Sequence, residues 1–282
     1  MRFRLHRRAL LVGLGGVVGC GLIGCNADPA PAPTASTIEP NARPRTFVGR
    51  ATTDGQGATL TRMFPNAPGH HLDPFVLLDD FAVTPPAGFP EHPHRGFEAF
   101  TYMLDGTFHH QDNLGNDSFV SSGGVQLFTS GKGARHSEMP GEARPNRGLQ
   151  LWINLPARLK KMPPAYAGID PRNIPEEHGG GVRRRTVVGA GSPVALQTEV
   201  RYLDLALERA ARFADQIEQG MTALLYVVSG QVRVGDVELS TGQVALPSAG
   251  ALDVVALAEA RTVLLVGRPH GEPIHQHGPF VD

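Results

Sequence analysis

Beyond residue 46 the apolar positions come in short runs broken by clusters of Gly, Pro, Asp and Asn, and convincing 3.6-residue helical periodicity is scarce. The runs at 99–104, 125–129, 149–155, 222–228, 231–234 and 262–266 read as β-strands, which predicts an all-β chain. Two of them end alike. Phe100-Thr101-Tyr102-Met103-Leu104-Asp105-Gly106 and Leu224-Leu225-Tyr226-Val227-Val228-Ser229-Gly230 are each a strand closed by Y-x-x-x-G. A strand following each glycine would complete a β-hairpin, and the repeat predicts a duplicated β-barrel. Between the halves, residues 156–191 carry Pro163, Pro164, Pro171, Pro175 and Gly179-Gly180-Gly181, which punctuate the chain rather than extend a strand. The expected units are an N-terminal barrel over residues 46–165 and a C-terminal barrel over residues 185–282.

The first 45 residues follow a different pattern. Met1 to Arg8 are basic, residues 9–23 are nearly all apolar or Gly, and the run ends at Gly24-Cys25. That apolar centre is shorter than the roughly 20 residues a membrane-spanning helix needs, so residues 1–24 are expected to be an export signal peptide. Leu22-Ile23-Gly24-Cys25 resembles the lipobox of bacterial lipoproteins, which implies a lipid on Cys25, and Val17-Val18-Gly19-Cys20 is a weaker match. Arg7-Arg8 ahead of the apolar run resembles a twin-arginine signal, the route of proteins exported already folded. Residues 25–45, rich in Pro, Ala and Thr, are expected to form an extended tether. The chain is therefore expected in the cell envelope or periplasm, held to a membrane only through the lipid on Cys25.

Hydrophobic residues at 41% and charged residues at 19% describe a chain that buries a core, not a disordered one. Four of the 26 basic residues (Arg2, Arg4, Arg7, Arg8) fall in the leader, which leaves 22 against 27 acidic groups. A mildly acidic body without a basic stripe argues against nucleic acid as a partner. Both cysteines, Cys20 and Cys25, also lie in the leader region, so the body has no disulfide and no thiolate ligand. Any metal must be held by nitrogen and oxygen.

Such donors are present. His92-Pro93-His94 is an H-x-H pair, and residues two apart on a strand project from one face, so both imidazoles reach a common ion. His136-Ser137-Glu138 repeats the arrangement as H-x-E. Two strands lining a barrel would supply three imidazoles and a carboxylate, a set that suits Fe, Mn, Cu, Ni or Zn. The second half has no histidine between His178 and His270, which predicts one ion per chain and a C-terminal barrel without metal. His275 and His277 form another H-x-H in the tail, outside these strands.

At these residues the chain resembles the pirin family of bicupins. The resemblance runs through Leu72-Asp73-Pro74-Phe75-Val76-Leu77-Leu78-Asp79, Gly88-Phe89-Pro90-Glu91-His92-Pro93-His94-Arg95-Gly96-Phe97-Glu98, His136-Ser137-Glu138-Met139-Pro140, Gly148-Leu149-Gln150-Leu151-Trp152-Ile153-Asn154-Leu155-Pro156 and Gly278-Pro279-Phe280-Val281. It implies two cupin-type β-barrels, with one divalent metal ion, usually iron (Fe2+), in the N-terminal one. The family's ligand positions fall on His92, His94, His136 and Glu138. Bacterial pirin-like proteins are described as oxidoreductases that cleave flavonols such as quercetin, inserting dioxygen into the heterocyclic ring with release of carbon monoxide. The resemblance thus implies a small aromatic substrate and dioxygen as partners, with Glu138 the catalytic base that takes the proton of the 3-hydroxyl. Other pirins are viewed as non-enzymatic, metal-dependent regulators, so the alternative expectation is a redox-dependent partner-binding protein of the envelope.

Several neighbours carry weaker expectations. Glu98 has the parity of His94 and would orient a ligand imidazole, unless Gly96 bulges the strand and turns it away. Of His109 and His110 a regular strand sends one inward and one outward, and packing is the expected fate of the inward one. Phe89, Phe97 and Met103 are candidates for the pocket wall or the core. The lipobox reading predicts that cells fed labelled palmitate mark this protein and that Cys25→Ser abolishes the label; an equally labelled variant would contradict it.

Overall fold

The computed structural model describes residues 43–65, 67 and 69–282. The expected signal peptide, the lipid attachment at Cys25 and the tether as far as residue 42 lie outside the described residues. Among those residues the helical elements are two 3-10 turns, Ala157–Leu159 and Pro171–Asn173. Everything else regular is strand: β1 (Arg45–Val48), β2 (Arg50–Asp54), β3 (Ala58–Phe64), β4 (Phe75–Val83), β5 (Phe89–His94), β6 (Phe97–Asp105), β7 (Thr107–Asp112), β8 (Asp117–Ser121), β9 (Val125–Thr129), β10 (Ala134–Pro140), β11 (Asn146–Asn154) and β12 (Ala165–Ile169). The second half continues with β13 (Glu176–Gly179), β14 (Val182–Val188), β15 (Val200–Leu207), β16 (Arg212–Ile217), β17 (Thr222–Ser229), β18 (Gln231–Val234), β19 (Val237–Ser240), β20 (Gln243–Leu246), β21 (Gly250–Ala256), β22 (Ala260–Gly267), β23 (Gln276–His277) and β24 (Phe280–Val281).

These strands build two cupin-type barrels of matching plan. In the first, the seven-stranded sheet β12-β9-β6-β11-β4-β3-β2 is closed by the four-stranded sheet β5-β10-β7-β8. In the second, β1-β20-β17-β22-β15-β14-β13 is closed by β16-β21-β18-β19. The chain passes from one large sheet to the other over residues 170–175. β1, which the sequence sets at the head of the N-terminal unit, pairs antiparallel with β20 of the second barrel, from Arg45↔Leu246 to Val48↔Gln243. β12 holds the corresponding place in the first barrel, against β9.

The expected hairpins at the two Y-x-x-x-G segments do not form. β6 ends in one sheet and β7 begins in the other, and β17 and β18 divide in the same way. The glycines turn a barrel corner instead. Gly106 and Gly230 have φ of +76° and +80°, a left-handed backbone that a Cβ disfavours, and a Cβ there would run into Asn146 or the Glu259 carbonyl.

Both faces of the central strands of the large sheets are buried, so alternate residues serve different surroundings. On β6, Phe97, Ala99 and Met103 pack inside the first barrel, whereas Phe100, Tyr102 and Leu104 join one cluster with Tyr202, Leu224, Tyr226 and Leu265 of the second. At that seam the repeated tyrosines reach across. Tyr102 donates to Asp204 (2.8 Å) on β15, and Tyr226 donates to Asp80 (2.6 Å) on β4. Each aspartate is also gripped by an arginine of its own barrel, Arg261 at 2.9 Å from Asp204 and Arg147 at 2.6 Å from Asp80. Burial pushes both tyrosine hydroxyls well up from their ordinary value, so they remain protonated donors.

Asp204 is fully buried and its removal would strand the Tyr102 hydroxyl and the Arg261 guanidinium. Asp204→Asn is expected to cost about 3 kcal/mol in urea unfolding, against about 1–2 kcal/mol for Tyr102→Phe; equal losses would show that the charge at the seam is not what matters.

Candidate metal centre

The interiors of the two barrels differ. The second is filled by one continuous apolar cluster, including Leu205, Leu225, Val234, Leu252, Val254 and Leu264. The first holds two separate clusters, one around Phe81, Met103 and Phe108 and one around Phe97, Ala99 and Phe128. Strand register shows what has changed. Thr101 on β6 stands opposite Gln126 on β9 and Gln150 on β11. Counting from the paired tyrosines, the same places in the second barrel hold Leu225, Ala245 and Leu264. The counterparts of His94, His136 and Glu138 are Ile217, Leu252 and Val254, and that of His92 is Asp215, which forms an ion pair with Arg201 (2.6 Å).

Into the gap of the first barrel β5 and β10 project their ligand-type side chains. Period-2 alternation sends His92 and His94 inward and leaves Glu91 outside, where it pairs with Arg135 at 2.8 Å. β10 lies beside β5 with His136 opposite His92. The three imidazoles form a cluster in which one nitrogen of each lies within 4.8 Å of the others.

The protonation of this cluster can be worked out from its partners. His92 Nδ1 lies 2.8 Å from the Pro90 carbonyl, and His94 Nδ1 lies 3.3 Å from the Pro279 carbonyl. A carbonyl only accepts, so both rings carry the proton on Nδ1 and turn an Nε2 lone pair inward. Those two Nε2 atoms are 3.0 Å apart, and His136 Nε2 is 3.1 Å from that of His92. Burial holds all three rings below their ordinary pKa, His94 down at about 3, so protonation does not relieve the crowding. Two lone pairs aimed at each other repel, and a cation at their focus turns the repulsion into coordination. The donor set fits a divalent ion, with three neutral imidazoles available to hold it.

Glu138 stands beside the cluster, its Oε2 3.9 Å from His136 Nε2. Its other oxygen, Oε1, accepts from Thr101 (3.0 Å) and from Gln126, while Gln150 lies 3.5 Å from Oε2. Burial in this pocket pushes its carboxyl up to about 7. The three amide and hydroxyl residues escape a motif search, yet each is a polar side chain at inward parity within an apolar strand.

Other sequence candidates fall elsewhere. β5 stops at His94, and Gly96, at φ +86°, redirects the chain. Glu98 is thereby turned away from the imidazoles to the interdomain seam, where it accepts from Thr129 (3.0 Å) and from the Gln197 amide (3.0 Å). His110 is buried, stacked on Tyr166 with centroids 3.9 Å apart, and its Nε2 lies 3.1 Å from Asp112. It packs against His136 and acts as a buttress for that ring. His109 faces outward onto Phe119. Met103 is core, Phe97 stacks on Trp152 behind His94, and Phe89 lines the cavity. His275 and His277 line a separate groove, with Arg50 and His71.

A cavity of about 390 Å3 opens onto the cluster. Its walls are Leu60, Leu77, Phe81, Phe89, Phe108 and Trp152, with His92, His94, Glu138 and Gln150 converging at one side. Asp54, the Arg62–Asp79 pair and Gln276 also line it, so an apolar, partly aromatic surface meets several polar groups, a make-up that suits a small-molecule site.

Comparison with known proteins agrees with this architecture. The family model described as Pirin matches residues 57–153, and that of the Pirin C-terminal cupin domain matches residues 202–282. A Pseudomonas aeruginosa protein provisionally named a quercetin 2,3-dioxygenase is 41% identical over 252 residues, spanning 83% of this chain and 88% of its own. The crystal structure of quercetin 2,3-dioxygenase from Acinetobacter baumannii superposes with a TM-score of 0.77 at 28% identity, over 84% of this chain and 90% of that one. A bacterial pirin from Escherichia coli, solved in complex with nickel(II), shares the fold at 24% identity and a TM-score of 0.65, over 80% of this chain and 99% of that one.

Replacing His92, His94 or His136 by Ala is expected to abolish stoichiometric retention of Ni2+ after dialysis, measured by plasma mass spectrometry. His109→Ala and His277→Ala are expected to retain it in full. Retention by all three inner variants would show that the ion binds elsewhere.

Proposed function

This chain belongs to the pirin family, and from that premise we propose that it is an Fe2+-dependent dioxygenase acting on flavonol-like phenolics, in the manner of quercetin 2,3-dioxygenase. The observation that carries the reading is the pair of inward-facing imidazole lone pairs at the end of an aromatic cavity, with a buried carboxyl beside them. His92, His94 and His136 would hold the ion, with Glu138 as the fourth ligand. A bound divalent ion supplies Lewis acidity that makes a coordinated phenol easier to deprotonate, and iron adds one-electron chemistry with dioxygen.

The chain's own residues do the rest. Phe81, Phe89, Phe108 and Trp152 offer flat apolar surface to a planar ring system and keep bulk water off it. Glu138 is the base that accepts the proton of the flavonol 3-hydroxyl; burial raises its affinity for that proton, and a bound cation would lower it. Thr101 and Gln126 hold Oε1 of that carboxylate, which leaves Oε2 toward the imidazoles. We place this activity at the cell envelope, with the lipid on Cys25 as the only membrane hold.

Iron-loaded protein mixed with quercetin without oxygen is expected to shift the flavonol absorbance band without bleaching it. Admitting oxygen is expected to bleach it with release of one carbon monoxide per flavonol. Glu138→Gln, with iron content measured alongside, is expected to lower kcat by about 10²–10⁴-fold. An unchanged spectrum at full iron occupancy would remove the dioxygenase reading.

A further inference from the structure

The chain does not end in the second barrel. After β22 it returns to the first, and its last residues are fastened beside the imidazole cluster at several points. The Val281 amide donates to the Arg95 carbonyl (2.9 Å), and Lys160 donates to the Val281 carbonyl (2.9 Å). Arg95 grips the Asp282 carboxylate at 3.0 and 2.8 Å and lies 4.8 Å over the Phe280 ring. Val281 is fully buried in the cluster of Phe97, Ala99 and Phe128. Gly96 belongs to the same arrangement, because a Cβ there would collide with the Val281 carbonyl.

Just ahead of these fastenings Pro279 lies against the cluster. Its carbonyl is the acceptor that fixes the proton of His94 on Nδ1, and Gln276, Gly278 and Pro279 form one wall of the cavity. Without that carbonyl, His94 Nδ1 loses the acceptor that selects its tautomer, and only packing on Phe97 and Trp152 orients the ring.

We infer that residues 276–282 form a strap that positions His94, so that docking of the C-terminus and binding of a metal ion reinforce one another. The inference rests on the reading of the three imidazoles as a metal site. The coupling must be reciprocal. A docked strap presents the His94 lone pair and raises metal affinity, and a bound ion holds His94 where Pro279 meets it. The fastenings divide the labour. The Arg95–Asp282 pair is half exposed and screened by solvent, whereas Val281 anchors the strap through apolar burial.

Hydrogen exchange on the intact chain, with and without saturating Ni2+, tests this directly. The Val281 and Asp282 amides are expected to slow by about tenfold or more on metal addition, while strands of the second barrel stay unchanged. Deleting residues 279–282 is expected to weaken Ni2+ binding by about 10–100-fold in a chelator competition. Asp282→Ala, which leaves Val281 in the core, is expected to give a smaller loss in the same direction. Ni2+ bound by the intact chain with no change in exchange at its end would overturn the strap alone. Failure of the intact chain to bind Ni2+ at all would instead overturn the metal reading on which it depends.

Discussion

Lone pairs that face one another across a short gap set the terms for everything around them. Two backbone carbonyls, one from the strand that carries the histidines and one from the far end of the chain, hold the His92 and His94 protons on the outer nitrogens. The inner nitrogens are then left to meet at 3.0 Å without a hydrogen between them. Such an arrangement is costly unless something positive completes it. The surrounding barrel is organised to keep those rings in place. Phe128 stacks on His136 with centroids 4.3 Å apart, His110 and Tyr166 back it, and the Phe97–Trp152 pair backs His94.

The two halves of the chain make the same argument by contrast. Both have the same sheet order, corner glycines and seam tyrosines, yet one lumen is polar at the positions where the other is aliphatic. Replacing Leu225, Ala245 and Leu264 of one lumen by Thr101, Gln126 and Gln150 in the other changes a packed core into a seat for a carboxylate. The large sheets tie the chemistry to the assembly, since Thr101 faces the pocket and its neighbour Tyr102 faces the other barrel.

Much of this was legible in the sequence where the signal is local. The strand over 125–129 and the one over 231–234 coincide with β9 and β18, because turn residues bound each run sharply. The H-x-H and H-x-E spacings put three imidazoles together because period-2 alternation is a property of the strand itself. What failed to show was non-local. The Y-x-x-x-G segments look like hairpins along the chain, and only the crossing between sheets reveals that the glycine turns a corner and the tyrosine serves the seam. Glu98 has the right parity on paper, and the left-handed Gly96 removes it. No side-chain pattern could announce Pro279, whose contribution is a main-chain oxygen.

The solid second lumen has a further consequence. A barrel released from holding a ligand keeps only the demands of volume, and volume-conserving exchanges among Leu, Ile and Val are cheap. Its outward face toward the seam has no such freedom, because Tyr226 and Asp204 are hydrogen-bonded to residues of the partner half. Within single strands such as β17, neighbouring residues therefore live under unequal rules, one exchangeable by bulk alone and the next bound to a fixed atom. Drift in this half should be striped along each strand rather than spread across it.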